Sequence, residues 1–190
     1  MIYDFATEVT ATAPTSSASV SYSNAIDLTD GNDGVPALFG AGYQLYMQFE
    51  VTVAFAAASG APLAQFGVVI DDTSTIADGS AIVLGMTGGS VATKVGYEHS
   101  ELTVGKKFHL AIPPFDDVME NTAGAFPNTK DASTLAAFRA MKHMGIVICN
   151  PMAVGSNAFN AGTVKARIVT NASLGTAINA YQYPSRSKIL

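Results

Sequence analysis

The stretch YQLYMQFEVTVAF, residues 43–55, sets Tyr43, Leu45, Met47, Phe49, Val51, Val53 and Phe55 at its odd positions. Gln44, Tyr46, Gln48, Glu50, Thr52 and Ala54 occupy the even ones. A period of two over this length describes a β-strand with one dry face and one wetter face, because successive strand side chains point to opposite sides. Whatever this chain folds into must give that strand an apolar surface to lie against.

Further segments share the period. In SVSYSNAIDL the even positions Val20, Tyr22, Ile26 and Leu28 are apolar, with Asn24 breaking the row. QFGVVID puts Phe66, Val68 and Ile70 on one face, and AIVLGM does the same with Ile82, Leu84 and Met86. KKFHLAIP turns Phe108, Leu110 and Ile112 inward and Lys107 and His109 outward. HMGIVIC lines up Met144, Ile146 and Ile148, and TVKARIVT directs Val164, Ala166 and Ile168 inward against Lys165 and Arg167. A weaker run, GTAINAYQY, reads as a last strand. The joints TDGNDGVP, AASGAP, DDTSTIADGS and TGGS are rich in turn formers.

Short alternating strands without interleaved helical periods predict an all-β fold, an antiparallel two-sheet sandwich of jelly-roll type. An immunoglobulin-like sandwich finds no support, since the chain has no Trp and a single Cys. A long irregular excursion spans residues 113–142. Within it DASTLAAFRAMKH accommodates one short helix, with Asp131 or Ser133 as cap and Leu135, Phe138 and Met141 at near-helical spacing. A connection of that length in a compact β domain points to a functional or interface element.

At 190 residues the chain is expected to be a single domain, 1–190, with extended N- and C-terminal segments. Charged residues make up 13%, against roughly 25% in typical soluble proteins. So few charges leave a surface either rich in Ser, Thr, Asn and Gly or covered by a partner. A net charge of −5 argues against general nucleic-acid binding, which needs a cationic footprint. MIYDFATEVT carries early acids and no apolar core of a secretory signal, and no apolar run is long enough to span a membrane. The expectation is a soluble protein with neither nucleic acid nor membrane as partner.

Reactive chemistry is sparse. His143 and Cys149 lie six residues apart on one predicted strand, hence about 20 Å apart, and Cys149 reads as a small apolar filler. His99, His109 and His143 lack paired ligand spacing for zinc. No nucleophile elbow, HExxH helix or Walker loop is present. DLTDGNDG, residues 27–34, resembles a calcium loop in composition but lacks the ligand order and the distal Glu. The neighbours Asp71-Asp72 and Asp116-Asp117 point to opposite faces of an extended chain and suit turns rather than paired catalysis. The sequon at Asn171 reads as a turn. The sequence therefore predicts no catalytic residues, no cofactor and no metal.

What remains is surface. Ile2, Tyr3 and Phe5 lie on a terminus outside any obvious strand, and Tyr181, Tyr183, Ile189 and Leu190 surround Arg186 and Lys188 at the other end. Free ends seldom carry such residues unless they are held down, on their own sheet or on a neighbouring chain.

Taken together, MIYDFATEVTAT, NAIDLTDGNDG before a Gly-rich turn, YQLYMQFEVTVAF, FGVVIDDTSTI with IVLGMTGG, and FNAGTVKARIVTNAS with INAYQYPS cover most of the chain. In these segments it resembles the jelly-roll capsid cement (decoration) proteins of tailed bacteriophages. The stretch PPFDDVMENTAGAFPNTKDASTLAAF departs from the shorter family pattern. The resemblance implies a non-enzymatic virion protein, made in the host cytoplasm and carried on the capsid exterior. It would assemble as a homotrimer and bridge copies of the major capsid protein. On that reading Ile2, Tyr3, Phe5, Lys165, Arg167, Tyr181, Tyr183, Arg186 and Lys188 are the candidate partner-binding residues, the cations meeting acidic groups on the capsid. The alternative is a carbohydrate-binding jelly roll, which would recruit Tyr46, Tyr97 and Asn157. An enzyme ranks last.

Overall fold

In a computed structural model, residues 8–15, 20–28, 45–76, 81–87, 96–112, 142–152 and 157–170 are described. The strands are β1 (Glu8–Thr12), β2 (Val20–Tyr22), β3 (Ile26–Asp27), β4 (Leu45–Ser59), β5 (Leu63–Asp71), β6 (Ile82–Met86), β7 (Tyr97–Glu98), β8 (Lys107–Ile112), β9 (His143–Cys149) and β10 (Ala158–Thr170). A 3-10 turn, His99–Glu101, follows β7. The run GTAINAYQY, the predicted helix up to Met141 and nearly all of the 113–142 excursion lie outside the described residues, and His143, the last residue of the predicted helical stretch, opens β9.

One sheet has the order β1-β10-β4-β8. The other has β9 and β5 at its centre, β2 and β3 sharing one edge, and β6 and β7 sharing the opposite edge. All these strand pairings are antiparallel. Five of them are nested in sequence: β1 with β10, β2 and β3 with β9, β4 with β8 and β5 with β6. Such nesting is a long hairpin of strand pairs rolled into two layers, which is the jelly roll.

The dry face of the opening stretch is the middle of the core. Met47, Phe49, Val51 and Phe55 are buried there with Phe66, Val68 and Ile70 from the facing sheet. Phe49 stacks on Phe108 at 4.9 Å, Phe66 lies 4.7 Å from Phe108, and Phe55 meets Phe159 edge-on at 5.4 Å. Each buried ring contributes roughly 1.5–3 kcal/mol by leaving water. The edge of β1 is tied across the sandwich by Thr10, whose N–H donates to Asn24 Oδ1 at 2.8 Å.

Three of the predicted one-face rows are broken, each at an irregularity in strand register. Val53 is 47% exposed rather than buried. Val51 pairs with Val164 and Val53 with Thr163, so Thr52 is an extra residue on β4, and Val53 is turned to the outer face with Thr163. Met86 packs on the outer side of the second sheet while Ile82 and Leu84 face the core. There Val68 pairs with Gly85 and Val69 with Val83, leaving Leu84 as the extra residue. Val20 and Tyr22 lie on that outer side opposite Cys149 and Val147, whereas Ile26 and Leu28 belong to the core. The face changes at Ser23, whose hydroxyl replaces a ladder group by accepting the Ile146 N–H at 2.9 Å. The outer side of the second sheet is itself apolar, with Val69, Val83, Val147 and Cys149 buried.

Candidate functional site

The outer face of the first sheet has a different character. Strand register places Glu8, Arg167, Gln48 and His109 opposite one another in a row across β1, β10, β4 and β8. The neighbouring row is Thr10, Lys165, Glu50 and Lys107. Both rows point outward because the residues between them in each strand, Val9, Ala166, Phe49 and Phe108, are buried in the core. Directly paired Cβ atoms lie about 4.5–5.5 Å apart, so long polar side chains in such rows reach one another.

The contacts differ along the rows. Lys165 Nζ lies 2.7 Å from Glu8 Oε1, and Lys107 Nζ lies 3.3 Å from Glu50 Oε2. Glu8 sits opposite Arg167 in register yet extends diagonally to Lys165. Its hydrogen bond and its charge hold the Lys165 ammonium above its ordinary pKa. Arg167 donates its Nε–H to Gln48 Oε1 at 2.8 Å, and Gln48 Nε2 lies 2.8 Å from His109 Nε2. Gln48 itself is buried, although it stands on the wet face. Partial burial first, and the Lys107 charge second, push the His109 pKa below its ordinary value.

Glu8, Gln48, Glu50, Lys165, Ala166 and Arg167 line a dent of only about 30 Å³. Small-molecule sites run to roughly 300–1,000 Å³. Among the described residues this face therefore presents a charged surface with a shallow dent and no substrate-sized cleft.

A second polar row, Asp27, His143 and Asp71, crosses β3, β9 and β5. Asp71 is fully buried, and its Oδ1 accepts from the Thr73 N–H at 3.1 Å and the Thr73 hydroxyl at 3.2 Å. Among the described residues no three His, Cys, Asp or Glu side chains converge as a metal site. His143 and Cys149 stand at opposite ends of β9.

Of the residues singled out from sequence, Lys165 and Arg167 lie side by side on this charged face. Ile2, Tyr3, Phe5, Tyr181, Tyr183, Arg186 and Lys188 lie outside the described residues. The three candidate sugar contacts are not brought together. Tyr46 stands on the outer face of the first sheet near the start of β4, and Tyr97 packs its ring 5.1 Å from Phe108. Asn157 lies near the far end of β4, where its side chain accepts the Ala61 N–H at 2.8 Å. Sequence reasoning missed Glu8, Gln48, Glu50, Lys107 and His109 as members of one surface. The signal was present in the wet positions of the opening stretch and in the outward residues of KKFHLAIP, but joining them required the strand register.

Compared with protein-family models and with curated proteins, the chain has no match.

Proposed function

We propose that the chain is a non-enzymatic structural virion protein that cements an icosahedral phage head, bridging subunits of the major capsid protein as a homotrimer. One observation carries the reading. β1 and β10 are adjacent and antiparallel, and Glu8 pairs with Arg167. The segment holding Ile2, Tyr3 and Phe5 therefore joins the sheet at the same end as the segment holding Tyr181, Tyr183, Arg186 and Lys188. Both join beside the charged outer face. Apolar and aromatic residues in the two segments, together with the charged outer face, match the composition of a protein interface, with apolar contacts at the centre and charged groups at the rim.

The jelly roll supplies a rigid body behind that surface, since its two layers meet through an aromatic core. Adhesion then needs buried area rather than chemistry, about 1,000 Å² or more per bridge. Repetition over a shell strengthens weak single contacts, because each bound copy raises the effective concentration of the next contact. In this role the chain would be made in the host cytoplasm and end on the capsid exterior.

The test combines solution mass with copy number on heads purified from the virus that encodes the chain. The expected result is a mass near three times 19.6 kDa and many copies per head, removable without opening the shell. A monomer absent from purified heads overturns the reading.

A further inference from the structure

We propose that Arg167 is the contact through which the outer face of the first sheet takes a carboxylate from the capsid, with Gln48 and His109 as positioning residues. The assignment rests on the cement reading above and adds the chemistry of the partner: an Asp or Glu side chain exposed on the capsid surface.

Charge complementarity singles out Arg167. Lys165 is neutralised by Glu8 and Lys107 by Glu50. Arg167 is exposed, and among the described residues it forms no ion pair. Among the described residues only its Nε–H is engaged, by the Gln48 side-chain carbonyl. The terminal nitrogens keep their donors in the planar fork that matches a carboxylate with two parallel hydrogen bonds. Fixing Nε from behind orients that fork before the partner arrives and reduces the ordering cost of docking.

The anchor depends on an imidazole two strands away. Gln48 gives its oxygen to Arg167, so its amide nitrogen faces His109. That nitrogen only donates, so His109 Nε2 must accept, and the ring is neutral with its proton on Nδ1. A protonated ring has two donors and no acceptor. Gln48 can meet it only by turning its oxygen away from Arg167, which releases the guanidinium. The titratable and charged groups that share the outer face with the ring are Lys107 on β8, Tyr46 and Glu50 on β4, Lys165 and Arg167 on β10, and Glu8 on β1. β6, which packs near β8 from the other sheet, carries the uncharged sequence IVLGM. Burial and Lys107 both resist protonation, which confines the release to the acid side of the ordinary histidine range.

The experiment measures co-sedimentation of the full chain with heads stripped of it, with thermal unfolding verifying that each variant is folded. Near neutral pH, R167Q should weaken attachment about tenfold or more. R167K should fail to restore it, because an ammonium cannot hold Gln48 and a carboxylate in one fork. K106Q, which removes an exposed charge from the turn just before β8, should change attachment by less than about threefold. From about pH 7.5 to about 5.5, wild-type attachment should fall while H109Q, whose amide oxygen still accepts from Gln48, holds its affinity. Wild type that binds with R167Q binding equally well overturns the role of Arg167 and leaves the cement reading standing. Identical pH profiles for wild type and H109Q overturn the positioning role of His109. Wild type that does not bind overturns the cement reading and this assignment together.

Discussion

Gln48 can serve Arg167 and His109 at once only while the imidazole is uncharged, and this couples a single proton to the stability of the native sheet. In the unfolded chain His109 takes up a proton near the ordinary value of 6.5; in the folded chain burial and the Lys107 charge move that uptake to lower pH. Above the ordinary value both states are neutral and the native state keeps its full advantage. As pH falls through that value toward the lower folded one, the unfolded state binds the proton first, so stability declines. Below the folded value the loss levels off. We expect unfolding midpoints, measured from neutral pH down to about 5.5, to decline on the acid side, with H109Q removing part of that slope. A slope unchanged in H109Q would show that the native sheet does not discriminate against the imidazolium.

At the scale of elements, the alternation is legible and its interruptions are not. β4, β5, β8, β9 and the second half of β10 follow from period two, because Phe, Ile, Leu and Met at every other position leave a strand little choice of face. β1 is hard to see in the sequence because its inward residue after Val9 is the small Ala11, followed just past its end by the small Ala13, which gives a weak pattern. Extra residues such as Thr52 and Leu84 have no composition of their own; they are set by where the partner strand's ladder groups fall. Gly162 shows how local such a constraint becomes. Its φ of +146° and the Phe55 ring, 2.7 Å from where a Cβ would stand, leave no room for a side chain. Gly162→Ala is expected to cost roughly 2–4 kcal/mol in denaturant unfolding, from backbone strain together with displacement of the ring. Gly105, at φ +85°, has open space for 4 Å around the place a Cβ would occupy, so it carries the backbone strain alone. Gly105→Ala should therefore cost about 1–2 kcal/mol. Equal losses at the two sites would exclude the Phe55 contact as the cause.

For the molecule as a whole, the nested pairing separates what holds the body together from what is available for contact. The outermost rung of the jelly roll is β1 on β10, running from Glu8 opposite Arg167 to Thr12 opposite Thr163. Residues 1–7 precede that ladder, and residues 185–190 lie well beyond Thr170, where β10 ends. The described core draws its aromatic contacts from Phe49, Phe55, Phe66, Tyr97, Phe108 and Phe159, all within the strands. Removing Met1–Thr7 or Ser185–Leu190 should thus leave the unfolding midpoint close to that of the full chain. If the ends are anchors, the same deletions should weaken attachment to stripped heads, and deleting both should weaken it more than either alone, since contacts on one rigid body act at high effective concentration. A truncated chain that unfolds early would place the ends in the stability of the sandwich itself. One that stays folded and attaches as firmly as the full chain would leave adhesion to the charged face alone.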